Sequence, residues 1–241
     1  MNDISWLGRT SLLIGEEKVK LLTTKHVMIV GLGGVGSFAA EFICRTGVGK
    51  MTIIDGDVVD PTNRNRQLPA LATNHGEPKA AIMAERLKAI NPELELVVVQ
   101  QFITPEMVEH LFEGSYDYII DAIDSVTPKL TFIKKAYVSN IPFVSSMGAG
   151  GKLDPTQIKV ADISKTFNCP FAQQVRKMLK KDKIYKGFKA VFSPEGNVKE
   201  SLVLTDGSNF KKSAYGTMSY MPATFGAVLS SVAIRGLINE E

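Results

Sequence analysis

The run Val27-Met-Ile-Val-Gly-Leu-Gly-Gly-Val-Gly-Ser-Phe-Ala-Ala-Glu-Phe-Ile-Cys-Arg-Thr46 decides the fold. Val27–Val30 is an unbroken apolar stretch, the pattern of a strand buried on both faces. It ends in Gly31-Leu-Gly-Gly-Val-Gly36, and from Gly36 to Thr46 the positions Phe38, Phe42 and Ile43 recur at helical spacing. Strand, glycine turn and helix in this order let a backbone approach a phosphate. Glycines remove the Cβ barrier, and the helix N-terminus carries partial positive charge. Gly31, Gly33, Gly34 and Gly36 are therefore predicted nucleotide-binding positions. No GxxxxGK[ST] run occurs, so the loop is not of the Walker type.

Outward from this unit the alternation repeats. Met51–Ile54 predicts a second strand ending at Asp55, where an acidic side chain can hold ribose hydroxyls. Lys79–Ile90 predicts a helix stopped by Asn91-Pro92, and Leu94–Val99 a strand. Thr104–Phe112 predicts a helix with Thr104 as N-cap and Pro105 at its first position. Tyr116–Ile120 reads as a strand, Pro128–Val138 as a helix and Phe143–Ser146 as a strand. The expected class is α/β, a Rossmann-like, mostly parallel sheet with right-handed crossovers. Ligands bind beyond the carboxyl ends of such strands, where Gly31–Gly36, Asp55 and Asp124 are expected. After Gly148-Ala-Gly-Gly151 the pattern changes. Gln157–Ile163, Ala190–Ser193 and Ser201–Leu204 read as strands, Phe171–Lys181 as a basic helix and Asp206–Lys212 as a polar loop. Residues 151–241 are thus expected to form a mixed α+β C-terminal extension to a core of residues 1–150, and to carry substrate-binding and dimer-interface surfaces.

The 241 residues suffice to bury a core without disulfide or metal staples. The formal charge of +3 is too small to imply a polyanionic partner, so that case rests on local clustering. Cys44 and Cys169 are too few for a disulfide framework and belong to no CxxC pair, which excludes a structural zinc of that type. Met1-Asn-Asp-Ile-Ser-Trp6 lacks the basic and apolar regions of a secretory signal, and a cytoplasmic location is expected. Thr217 to Ile234 has no charged side chain and is borderline in length for a membrane span. Pro222, Gly226 and several hydroxyl residues favour a buried core or dimer-interface helix instead.

Glycines alone do not separate NAD from ATP. Hydride transfer needs no phosphate-neutralising side chains far downstream. Attack on an α-phosphate does, because pyrophosphate leaves carrying charge. Pro61-Thr-Asn-Arg-Asn-Arg-Gln67 follows the second strand, Gly76-Glu-Pro-Lys79 opens the next helix, and Asp121-Ala-Ile-Asp124 closes another strand. Singly, Arg64 and Arg66 suit a solvated loop and Asp124 an N-cap. Lys79 at a helix N-terminus opposes the dipole, a mild cost that hints at another role.

Together, Gly31-x-Gly-Gly-x-Gly, Asp55-Gly-Asp57, Asn63-x-x-Arg66-Gln67, Gly76-x-Pro-Lys79 and Asp121-x-x-Asp124 resemble the ThiF/MoeB/HesA adenylating superfamily, related to ubiquitin-activating enzymes. The resemblance covers about residues 5–150 and implies ATP with Mg2+. It implies that Asp55 holds the ribose, with Asp57 at the same nucleotide site. Asn63 and Arg66 would contact phosphates, Lys79 would stabilise the pentavalent α-phosphorus, and Asp124 would bind the metal. Gly8-Arg9-Thr10 resembles the segment whose arginine reaches the partner subunit's ATP. That implies a homodimer in which Arg9 joins Arg66, Lys79 and Asp124 as a catalytic residue.

Asp121-Ala-Ile-Asp-Ser125, Gly148-Ala-Gly-Gly151, Asp154-Pro-Thr-Gln157 and Ala223-Thr-Phe-Gly226 resemble the tRNA threonylcarbamoyladenosine dehydratase branch more closely, over nearly the whole chain. The branch implies an ATP-dependent dehydration. The threonyl carboxylate of the modified adenosine becomes an acyl-adenylate, and its own carbamoyl group closes a ring and expels AMP. Such a step needs no enzyme nucleophile. Sulfur-transfer accessory proteins are a further expected class of partner. A rival reading turns the adenylation on the diglycine tail of a ubiquitin-like sulfur-carrier protein, with Cys169 in Phe167-Asn-Cys-Pro170 as thioester nucleophile. A second rival, a binding module or NAD-dependent oxidoreductase on the same scaffold, is opposed by the scattered cations.

Charge clustering supports a polyanion independently. Arg176, Lys177, Lys180, Lys181, Lys183, Lys186 and Lys189 share one segment with the single acid Asp182. They are predicted tRNA contacts, with Tyr185 and Phe188 interleaved as base-stacking residues. Lys211 and Lys212 extend the patch. The bland alternative is a solvated helix face and loop.

Overall fold

The computed structural model describes residues 4–204 and 213–239. The polar loop 206–212, with Lys211 and Lys212, lies outside the described residues. Two helices that the sequence reading did not assign open the chain: α1 (Gly8–Ile14) and α2 (Glu16–Thr23), the latter burying Val19 and Leu22. The expected alternation follows as β1 (His26–Val30), α3 (Gly36–Arg45), β2 (Lys50–Ile54), α4 (Lys79–Ile90), β3 (Glu95–Val99), α5 (Pro105–Leu111), β4 (Tyr118–Asp121), α6 (Val126–Val138) and β5 (Phe143–Ser146). Then come β6 (Lys159–Asp162), α7 (Pro170–Leu179), β7 (Lys189–Phe192), β8 (Leu202–Leu204), β9 (Ser213–Tyr215) and α8 (Tyr220–Leu237).

Seven strands form one sheet in the order β3-β2-β1-β4-β5-β7-β6. All neighbours are parallel except β6, which runs antiparallel to β7. From β1 the chain winds outward to β2 and β3, then returns to add β4 and β5 on the other side. The β1/β4 boundary is therefore the topological switch point. β6 and β7 continue this sheet, so the extension beyond residue 150 shares the sheet with the first half. β8 and β9 make a separate small hairpin.

α3 differs in detail from its expected amphipathic face. Ala39, Ala40, Ile43 and Cys44 are buried, whereas Phe42 is exposed. The reason is α8, which crosses α3 at close range. A Cβ on Gly226 would lie 2.6 Å from the Val35 carbonyl oxygen and 2.9 Å from the Phe38 Cβ. Small side chains on α3 and a glycine on α8 let the two backbones meet. Ser230 Oγ then donates to the Ala39 carbonyl at 3.1 Å. Met221, Phe225, Leu229 and Val232 are buried, which makes α8 a core element. Among the described residues, no helix is long and apolar enough to cross a membrane.

Candidate active site at the carboxyl end of the sheet

The glycine loop follows β1 at the switch point. Gly31 has φ of +87°, and a Cβ there would stand 2.8 Å from the Ala122 carbonyl oxygen. A Cβ on Gly36 would stand 1.7 Å from the Gly31 carbonyl oxygen. These two positions close the turn and admit no side chain. Gly34 packs beneath the loop, its Cβ position 3.1 Å from Pro222 Cβ and 3.2 Å from the Arg66 carbonyl oxygen. Gly33 is the open one: a Cβ would meet only Gln67 Nε2, at 3.8 Å. Gln67 Oε1 is buried without a hydrogen-bond partner. An unmet acceptor beside an uncovered glycine loop suits a polar ligand.

Asp55 ties β2 to this loop. Its Oδ2 accepts the Leu32 N–H at 2.6 Å and its Oδ1 accepts the Asp57 N–H at 2.7 Å. Burial raises its pKa, opposed by these two hydrogen bonds and by the charge of Lys79. A carboxylate offers about four lone-pair positions, so two remain for ribose hydroxyls.

Lys79 is delivered by a short antiparallel bridge between Val58 and Pro78. Its backbone N–H donates to the Asp57 carbonyl at 3.0 Å, and its ammonium meets Asp57 Oδ2 at 3.0 Å. The ammonium is buried while the Asp57 carboxylate is half-exposed. Asn63 is also buried, and its Oδ1 accepts the Asp60 N–H at 3.1 Å in a capping box on the turn Pro61–Asn63. That turn launches the segment bearing Arg66. The Arg66 Nη1 donates to the Thr62 carbonyl at 3.0 Å and to Asn65 Oδ1 at 2.8 Å. Burial lowers the Arg66 pKa, and the negative charges of Asp124 and Asp60 pull the other way. Arg66 and the exposed Asp124 thus sit within electrostatic reach at one mouth. The donors, the exposed Asp124 carboxylate and the open loop form a polar mouth that can bind a nucleotide and neutralise a departing polyphosphate.

The ThiF family model matches residues 7–241. This chain belongs to the ThiF family. It is 42% identical to the tRNA threonylcarbamoyladenosine dehydratase of Escherichia coli K12, covering 96% of this chain and 92% of that protein. It is 39% identical to the Bacillus subtilis protein of the same name, covering 97% and 94%. The crystal structure of the E. coli enzyme TcdA in complex with ATP superposes with a TM-score of 0.89 at 41% identity, covering 100% of this chain and 98% of that one.

Other expected residues of this ThiF member lie elsewhere. Arg9 is exposed on α1, and Leu7 just before it packs on Gly47 beyond the far end of α3. The ten residues of α3, about 15 Å long, lie between Gly47 and the glycine loop. The basic segment lies at the opposite end of the sheet. Lys189 starts β7 beside Val144, near the start of β5, whereas the site follows the strand ends. Asp182 pairs with Lys134 at 2.6 Å, well along α6 from Asp124. Within the segment Lys177, Lys180, Lys181, Lys183, Lys186 and Tyr185 are exposed. Phe188 is buried and stacks on Phe143 with ring centroids 4.8 Å apart, so it is a core residue and not a base-stacking one. Arg176 is half-buried and donates to Thr166 Oγ1, and Lys189 is half-buried in its strand. Cys169 is buried at the N-cap of α7.

The sequence reading missed one buried polar set beneath Asp124: Asp121, Lys129 and Ser145. Its signal was present, because Lys129 lies in the first turns of α6 and opposes the dipole as Lys79 does in α4.

Proposed function

We propose that this chain uses ATP to dehydrate threonylcarbamoyladenosine in tRNA. What carries the reading is the meeting of the glycine loop, Asp55, Arg66, Lys79 and Asp124 at one switch point. The chain that does this is 42% identical, over 96% of its length, to a dehydratase of that name. Asp55 orients the ribose, and the loop N–H groups face the phosphates. A carboxylate oxygen of the threonyl group attacks the α-phosphorus, and the bond to pyrophosphate breaks. Arg66 and Lys79 stabilise the charge that gathers on the phosphoryl oxygens, an electrostatic contribution that grows in a partly desolvated site. Lys79 is already held in place by Asp57, which can release it toward phosphate.

Mg2+ binds through one or two carboxylates plus phosphate oxygens and supplies further charge neutralisation. Asp124 fits that demand. Among the described residues no group of three His, Cys, Asp or Glu side chains is gathered to hold a metal by itself.

In the second step the carbamoyl group attacks the acyl carbon, the bond to AMP breaks, and the carbamoyl N–H proton passes to solvent. The oxygen lost from the modified adenosine departs on AMP, so the net change is loss of one water. Both reacting groups belong to one substrate, and proximity supplies most of the acceleration.

A homodimer completes the site. Arg9 follows Leu7, which packs near the far end of α3, and this placement suits contact with a second copy's phosphates rather than with its own loop. Leu12 and Leu13 beside it are 89% and 85% exposed, apolar surface that a second copy would cover. The exposed lysines from Lys177 to Lys186 would hold tRNA backbone remote from the reacting adenosine. A tRNA substrate fits a cytoplasmic location.

The test is mass spectrometry of nucleosides after incubation of modified tRNA with protein, ATP and magnesium. Loss of one water from threonylcarbamoyladenosine, matched by AMP, is expected. AMP release that is equal with tRNA lacking the modification rejects the substrate. Mixing Arg9→Ala with Lys79→Ala subunits should restore part of the activity lost in each; no recovery rejects the shared site.

A further inference from the structure

Asp124 stands in the turn between β4 and α6, and this turn is held from below by an ion pair with no solvent exposure at either side chain. Lys129 Nζ lies 2.8 Å from Asp121 Oδ2 and donates to the Ile123 carbonyl at 2.9 Å. Asp121 Oδ1 accepts the Ile123 N–H at 3.0 Å, and Asp121 Oδ2 accepts the Ser145 hydroxyl at 2.7 Å. The Phe171 ring closes over the ammonium, 5.9 Å from ring centroid to nitrogen. Both polar groups of residue Ile123, immediately before Asp124, are therefore held by one buried pair.

The fold does not require such a pair. Burying two charges is costly, and well-packed apolar side chains of similar volume are commonly as stable or more so. Yet removing one partner alone strands the other. The pair is placed where it defines a peptide's orientation rather than where it would add core packing. Asp124 is one bond beyond that peptide, and Lys129 lies within electrostatic reach of its carboxylate.

We infer that Lys129, with Asp121 and Ser145, is a positioning residue that aims the Asp124 carboxylate at the magnesium-bearing polyphosphate; this rests on the role proposed above for Asp124. Hydrogen-bonding groups behind a metal ligand fix its direction, and their loss costs about 10- to 100-fold in metal affinity or activity. Ser145 contributes by fixing the Asp121 carboxylate from the neighbouring strand.

The decisive variant replaces both charges together, Asp121→Leu with Lys129→Met, so that neither is left buried alone. ATP binding is measured by calorimetry with and without magnesium, and AMP release is measured on modified tRNA. The double variant also removes the partners of the Ile123 N–H, the Ile123 carbonyl and the Ser145 hydroxyl, so a lower melting temperature is expected, while the folded protein should bind ATP alone equally well. It should lose about tenfold or more of the magnesium-dependent gain in affinity, with kcat falling and KM for tRNA unchanged. Ser145→Ala removes only a hydroxyl and should move the same quantities in the same direction, by a smaller factor. It carries the test where the double variant fails to fold. Asp124→Ala separates the two levels of the reading. If Asp124→Ala keeps the magnesium gain and its activity, the role of Asp124 fails. If Asp124→Ala loses both while the folded double variant, or Ser145→Ala in its place, keeps them, the positioning role is overturned.

Discussion

The two ends of the sheet carry charge in opposite ways. At the carboxyl end Lys79 is buried against Asp57, Arg66 is half-buried, and Lys129 is fully buried against Asp121. Each cation there is held by a specific carboxylate or carbonyl. At the amino end Lys177, Lys180, Lys181, Lys183 and Lys186 project from α7 and the turn after it into solvent. The amino end has the greater density of cations and the carboxyl end the greater constraint on each. Charge density draws a polyanion in from solution. Constraint aims individual donors at one developing charge, and desolvation strengthens their effect.

The largest effect expected from this contrast is on turnover. Lys79→Ala and Asp124→Ala should each reduce AMP release by about 100- to 1,000-fold. Circular dichroism should stay unchanged. More than a tenth of wild-type activity in both would remove the carboxyl end from the chemistry. The contrast is sharpened inside the basic segment itself. Phe188→Ala should cost about 3–5 kcal/mol of stability in urea unfolding. Tyr185→Ala, at an exposed position, should change it by no more than about 0.5 kcal/mol. Equal costs would mean that the segment is not divided between core and surface as described.

A subtler change is expected when Lys180, Lys181, Lys183 and Lys186 are replaced by serine together. The salt dependence of tRNA binding should flatten, by about 0.7–0.9 in log–log slope for each phosphate that is no longer neutralised. KM for tRNA should rise with kcat unchanged, since these residues lie a sheet-width from the reacting atoms. A fall in kcat instead would place them at the chemistry.

The smallest effect concerns acid stability. Burial raises the Glu41 carboxyl, but its bonds to Arg86 and Arg45 outweigh this and leave its pKa below the ordinary value of 4.5. Its folded-state value is thus depressed. The stability it adds is present above the unfolded value and is lost as pH falls through the folded value. Glu41→Gln should therefore lower the melting temperature at neutral pH and converge with wild type as pH falls through the depressed folded-state value. The exposed pair Lys20–Glu16 should show no such convergence, because its contribution is near zero throughout. A parallel offset at all pH values would mean that Glu41 acts by shape and not by charge.

Much of the site was legible because chemistry and local backbone coincide there. Gly31 and Gly36 must be glycine wherever such a turn is made, and Asp55 ends a strand recognisable from Met51–Ile54 alone. Lys79 announced itself by standing against a helix dipole. Phe188 misled because an aromatic between lysines has the same local pattern whether it faces RNA or Phe143. Phe42 misled because the face that α3 buries depends on a helix nearly two hundred residues away.

By itself, the sequence determined the alternation of strands and helices from β1 to β5, the glycine turn, and a set of charged side chains spaced as the family's motifs are. These are properties of residues near one another along the chain, where periodicity and backbone sterics act directly. Only the tertiary structure decided that β6 and β7 complete the same sheet, that the basic segment lies opposite the glycine loop, and that Asp121, Lys129 and Ser145 meet beneath Asp124. Those outcomes depend on strand pairing and burial between segments far apart in sequence, and such pairings leave no periodic trace in the chain.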